Sequence, residues 1–327
     1  MLPQQALAAR EKARVCRSKD PGDDTMLLMP GQKRYDHSSI EQRKDFSWPE
    51  GKRLAFYVAL NIEHFAFMTG RGMDPTNRGG PPSTRNYAWR DYGNRVGIWR
   101  VFQALDELNL PASILLNGEV AELYPDIVAK IKQRGDDVLG HGRTNGETLG
   151  GGRWELDEKR MIDDTTQSIE KYCGVKPTGW MGPGAAESGI TPDLLKEAGY
   201  THLLDWPMDD QPLWMRTRAG PILSVPYPLE PLNDAGTLIA RDHTGREFAD
   251  MIVDQFEEML EQSEKQPLVF ALSLHGFIVG QPARLRPLKK ALKHCAEHKM
   301  KDRVWYTRAG AIADYCFALP KGVLLGS

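Results

Sequence analysis

"PASILLNGEVAELYPDIVAKIKQRGDDVLGHG" (residues 111–142) carries the first argument for the fold. "PASILL" is a short apolar run with the composition of a strand. "EVAELYPDIVAKIKQRG" repeats its apolar residues at helical spacing and stops at Gly135, the residue type that ends helices in the left-handed conformation. "DDVLG" then reads as a second strand, which ends just before His141. A strand, a helix and a strand in so short a space predict a parallel pair joined by a crossover.

The same alternation extends in both directions. Upstream, "RLAFYVALNI" (53–62) predicts a strand, residues 68–93 a long loop rich in Gly, Pro and Arg, and "RVGIWRVFQALDELN" an amphipathic helix. Downstream come a helix from 155, a short strand at "PTGWMGP", and the helix "TPDLLKEAG" with Thr191 as N-cap. Strands at "YTHLLDW" and "GPILSVPY", the helix "GREFADMIVDQFEEMLEQSEK" and the strand "PLVFALSLHG" follow. A basic helix, "PARLRPLKKALKHCAEHK", is read as a solvated face, and the strand "VWYT" and the helix "AGAIADYCFAL" close the chain. About seven strand–helix units without a break in composition predict a parallel sheet covered by helices, doubly wound or closed into a barrel. The expected organisation is one barrel domain over residues 46–327. A polar arm, residues 1–45, precedes it and is read as a subunit contact in a homo-oligomer.

Composition narrows the function. With 327 residues, 41% of them hydrophobic, the chain can bury a large core. A net charge of -2 gives no case for nucleic acid or an anionic membrane surface. Cys16, Cys173, Cys295 and Cys316 form no CxxC pair, and no apolar run approaches the roughly 18 residues of a membrane span. The N-terminus has no apolar signal region, so the expected location is cytoplasmic. No GxGxxG follows the first strand, which argues against a dinucleotide site.

In parallel barrels the reactive groups gather at the C-terminal ends of strands. That rule selects Asn61, Glu63 and His64, then Asn117, then His141, Arg143, Asn145 and Glu147, then Asp205, Asp209 and Asp210, and finally His275. The set suits hydrolysis of an amide-like C–N bond. Glu63 would deprotonate water if burial raised its pKa toward neutrality, and His275 would protonate the leaving nitrogen. Asp205 or Asp210 would fix an imidazole tautomer. Asn145 and backbone N–H groups, or a metal, would stabilise the carbonyl oxygen. No GxSxG is present, and Ser273, inside a strand, is read as packed.

From about residue 45 to 316 the pattern resembles the NodB-homology polysaccharide deacetylases, and among them the branch of the PuuE-type allantoinases. The matching stretches are residues 111–142, "GITPDLLKEAGYTHLLDWPMDDQPLWM" and "LSLHGFIVGQPARLRPLKKAL". The resemblance implies a deformed (β/α)7 barrel. It puts Glu63 at the family's catalytic base and His64, His141 and Asn145 at its metal ligands. His275 of "LSLH" falls at the acid, and Asp205 with Asp209 or Asp210 of "DWPMDD" at the residues that tune it. The family's Arg-x-Pro motif is missing; "GWMGPG" offers Pro183 and no arginine.

Asn is a poor zinc ligand, so a site without metal is preferred. If a metal is bound, His64 and His141 would hold it. Asn61, His64, His141, Asn145, Asp209, Asp210 and Trp214 are then expected to bind substrate, with Trp206 or Trp214 stacking on a planar ring. The 68–93 segment, with Arg71, Arg78, Arg85, Tyr87, Trp89 and Arg90, would be a lid or a subunit contact. The expected function is a hydrolase that opens a small cyclic amide, imide or ureide. The alternatives are a metal-dependent N-deacetylase of an amino sugar and a non-catalytic small-molecule-binding barrel.

Overall fold

The structure is a computed structural model that describes residues 32–69, 83–150 and 152–327. It has nine strands: β1 (Leu54–Ile62), β2 (Ala112–Leu116), β3 (Asp137–Gly140), β4 (Gly179–Trp180), β5 (His202–Leu203), β6 (Leu213–Met215), β7 (Ile222–Ser224), β8 (Leu268–His275) and β9 (Val304–Thr307). They form one sheet in the order β6-β7-β5-β4-β3-β2-β1-β8, parallel throughout except for β6 against β7. One edge of β1 pairs with β9 along Leu54–Tyr57 and with β2 along Val58–Ile62, while β8 covers the other edge. All nine residues of β1 are buried. The gap between β6 and β8 is bridged by loops: the Val269 N–H donates to Asp210 O at 2.9 Å and the Ser273 N–H to Leu232 O at 2.9 Å. The curled sheet is the deformed barrel that the resemblance implies, one of the two architectures the strand–helix alternation left open.

Strand alternation sorts residues between two cores. Leu54, Phe56, Val58, Leu60 and Ile62 of β1 join Ile114, Leu116, Phe270, Leu272 and the covering helices in one apolar layer. Ala55, Tyr57 and Ala59 face the barrel interior with Leu115, Leu139, Val269 and Ala271. A period of two continues the inward set through Asn61 to Glu63, and in β8 through Ser273 to His275. The registers align these ends, with Asn61 opposite His275 and Leu116 opposite Gly140.

The long loop expected over residues 68–93 is in part helical. Ser83 caps the helix Thr84–Tyr92, accepting the Asn86 N–H at 3.1 Å, and a π-turn at Gly93–Gly97 leads into the helix Ile98–Asp106. Arg71 and Arg78 lie outside the described residues, as do residues 1–31 of the expected polar arm. Thr191 is the first residue of the helix Thr191–Glu197 and not its cap; its hydroxyl accepts the Ser188 N–H. Strand "YTHLLDW" shrinks to two paired residues, because the chain turns away after Leu203. Among the described residues, no helix is long and apolar enough to cross a membrane.

Candidate active site

Glu63, His141 and His275 meet at the C-terminal mouth of the barrel. Oε1 of Glu63 lies 3.4 Å from Nε2 of His141 and 3.3 Å from Nε2 of His275. Each ring is fixed from behind. Nδ1 of His141 donates to the carbonyl of Met181 at 2.6 Å. Nδ1 of His275 donates to Oδ1 of Asp234 at 2.5 Å, and the His275 backbone N–H donates to the other Asp234 oxygen at 2.8 Å.

With Asp234 accepting at one nitrogen and Glu63 at the other, His275 is held as an imidazolium between two carboxylates. Burial alone would lower its pKa, but the charges of Asp234 and Glu63 win and raise it to about 10. Burial would likewise raise Glu63, yet the charge of His275 and the hydrogen bonds from both histidines carry its carboxyl below the usual carboxylate range. The expectation of a glutamate lifted toward neutrality is therefore corrected: Glu63 is an ionised carboxylate, and His275 rests protonated. Burial also raises Asp234, against the pull of His275.

The groups sit on the floor of a cleft of about 280 Å³. Phe65, Trp89, Met181, Ile239, Phe277 and Ile278 supply apolar walls, and Asn61, Asn145 and Tyr227 supply polar groups. Asn61 donates to Ser273 Oγ at 3.0 Å, and Tyr227 hydrogen-bonds the same hydroxyl at 2.6 Å, so Ser273 is packed into a network. Arg90 lies over the ring of Phe65, 3.5 Å from its centroid. The turn "HGRTN" needs Gly142 in the left-handed region (φ 70°), where a Cβ would meet Pro183 Cγ at 2.5 Å. That turn brings Asn145 back to β1, its N–H donating to the His64 carbonyl at 2.9 Å. The Asn145 side-chain oxygen is buried in the cleft wall without a hydrogen-bond partner.

Several expected site residues lie elsewhere. His64, one step beyond Glu63, points to the opposite side of the strand end; its ring nitrogens lie 3.4 Å from the Tyr124 hydroxyl and 3.5 Å from a Glu119 oxygen. Asp205 accepts the Gly182 N–H at 2.6 Å and shares a buried contact with Glu187, so the position behind His275 belongs to Asp234 instead. Asp209 is paired with Arg43 at 2.6 Å, and Asp210 lines a separate hollow with Pro207 and Met208. Trp214 stacks obliquely on Phe317 at 5.5 Å, and the Trp206 N–H donates to Glu187 at 2.6 Å; neither lines the cleft. Asp234 was not legible from strand ends, because it comes from the loop before the π-turn Ala235–Ala240. Asn117, by contrast, ends β2 and ties the mouth together, accepting the His64 N–H at 2.8 Å and donating to the His141 carbonyl.

Residues 87–203 match the family model of polysaccharide deacetylase. A polysaccharide deacetylase relative from Schizosaccharomyces pombe is 24% identical, over 82% of this chain and 91% of its own. Among solved structures, a polysaccharide deacetylase of Pseudomonas aeruginosa superposes with a TM-score of 0.71 at 23% identity, covering 82% of this chain and 92% of its own. PuuE allantoinase superposes with a TM-score of 0.71 at 24% identity, covering 83% and 92%. At these identities the superpositions establish the fold. The relatives named are hydrolases of carbon–nitrogen bonds other than peptide bonds.

The metal that the deacetylase resemblance implies needs His64, His141 and Asn145 to converge, and here they do not. His64 is turned out to Tyr124 and Glu119, and an amide oxygen stands at 145. Among the described residues, no three His, Cys, Asp or Glu ligand atoms gather at the mouth of the barrel.

Proposed function

We propose that this chain hydrolyses a C–N bond of a small cyclic amide, imide or ureide, with Glu63 as base and His275 as acid. The observation that carries the reading is the Asp234–His275–Glu63 chain, a carboxylate, an imidazolium and a carboxylate buried in line at the floor of a small cleft. Glu63 takes a proton from water, whose oxygen forms a bond to the ring carbonyl carbon. As the C–N bond breaks, Nε2 of His275 gives its proton to the departing nitrogen. The proton on Glu63 then crosses the 3.3 Å to His275 and resets both groups, while the new carboxylic acid ionises to solvent. No step is routed through a metal.

Two further features support a small ring over a sugar. The walls are mostly apolar, which suits a flat ring and leaves the hydroxyls of a saccharide without partners. The free Asn145 oxygen is an acceptor for a ring N–H, and the amide turned over offers donors to the carbonyl oxygen.

The test is turnover of allantoin, hydantoin, succinimide and an N-acetylglucosamine oligomer by the wild type, Glu63→Gln and His275→Gln. Ring opening that both substitutions abolish is the expected result. Acetate release from the oligomer without ring opening would replace this reading with deacetylation, and ligand binding without turnover would make the barrel a binding module.

A further inference from the structure

A second histidine–carboxylate cluster lies on the outer helices. Glu257 projects from the helix Gly245–Gln262, His294 from the helix Pro282–Ala296, and His298 from the turn after it. Nε2 of His294 lies 2.6 Å and Nε2 of His298 3.2 Å from Oε1 of Glu257. One ligand atom from each residue falls within 4.8 Å of the other two, and no other such trio occurs among the described residues. Both rings stand edge-on to Phe256, with centroids 6.4 Å away for His294 and 5.6 Å for His298. Phe256 packs in turn on Phe56 and Phe270, near the starts of β1 and β8. Phe270 is five residues before His275, roughly 16 Å along a strand that rises about 3.3 Å per residue, so this cluster is remote from the cleft.

We propose that Glu257, His294 and His298 form a binding site for a divalent transition-metal ion of the zinc class, clamping the two helices from outside. Two imidazoles and a carboxylate are a zinc donor set, and a fourth position stays open to water. Ligand atoms about 2.0–2.2 Å from a tetrahedral ion stand roughly 3.3 Å apart, so the present spacings need only small adjustments. His298 is buried and fixed, while Glu257 and His294 are open enough to admit an ion.

The same geometry sets the strength of the site. The Met300 N–H donates to Nδ1 of His298 at 3.2 Å, which places the ring proton on Nε2, facing Glu257. A metal on Nε2 sends that proton to Nδ1 and costs the Met300 contact. With three protein ligands and this cost, the site is an exchangeable one.

The experiment titrates chelator-treated full-length protein with zinc chloride, following heat and melting temperature. One equivalent bound with a raised melting temperature is expected in the wild type and in Glu63→Gln. Both signals should vanish in His294→Ala and Glu257→Gln, with hydrolysis by those two variants unchanged. Absence of binding overturns the proposal. So does binding that survives His294→Ala, and loss in His141→Ala alone would move the ion to the cleft.

Discussion

The side chains of Glu63 and His275 are 4% and 8% exposed, whereas those of Glu257 and His294 are 45% and 41% exposed. The two pairs are made of the same residue types, 3.3 Å and 2.6 Å apart, one at the C-terminal ends of β1 and β8 and the other on two outer helices. In water-screened surroundings such a pair contributes roughly 0–1 kcal/mol, and its members exchange partners freely. That suits an ion that comes and goes. In the cleft, neither charge is tolerable without the other, because an unpaired buried ion costs several kcal/mol. Burial therefore converts an ordinary pair into a carboxylate that stays ionised beside an imidazole that stays protonated.

The most severe way to break the contrast is to neutralise one member of the buried pair. Glu63→Gln and His275→Gln are each expected to lower kcat on the order of 10²–10⁴-fold, read by steady-state ring opening. Circular dichroism on both variants would separate lost chemistry from lost folding.

Next in size is Asn145→Ala, expected to lower kcat by roughly 10²-fold if the amide steadies the developing oxyanion. A change confined to KM would reduce Asn145 to a substrate contact.

Asp234→Asn sharpens the comparison by removing the carboxylate behind the acid. Glu63 ionised and His275 protonated are both required, so wild-type kcat/KM should stay level through neutral pH and fall only as pH rises through about 10. The variant's alkaline limb should move down by about one unit or more. An unchanged limb would show that Asp234 does not set the charge of His275.

Smaller still is Asp205→Asn, which tests a carboxylate outside the cleft. Burial raises Glu187 to about 7 against the hydrogen bonds of Trp206 and Asp205, and burial together with the charge and hydrogen bond of Glu187 holds Asp205 well above the usual carboxylate range. A carboxyl raised on folding stabilises the protein below its unfolded value near 4.5, and that contribution is lost as pH rises through about 7. The wild-type melting temperature should therefore decline by a few degrees between about pH 5 and 8. The variant should show a flatter profile with activity within about twofold of wild type.

Much of the site was legible at strand ends. Glu63, His141 and His275 each continue the inward-facing alternation of a strand. The same alternation, followed one residue further, separates Glu63 from His64: two adjacent side chains at a strand end cannot share a face. Asp205 also ends a strand, but the turn after Leu203 points it toward Gly182 and Glu187 instead of His275. The "HCAEHK" stretch (residues 294–299) read as part of a solvated basic face, because the facing Glu257 lies 37 residues before His294.

The sequence by itself determined the strand–helix alternation, the mouth where the strand ends gather and the inward parity of the strands. Those depend on periodicities of two and 3.6 that neighbouring residues encode locally. Only the tertiary structure decided that Asp234 backs His275 from 41 residues away and that Glu257 meets one histidine of another helix and one from the turn after it. Such meetings depend on how loops cross the rim and how helices pack, and no local pattern specifies either.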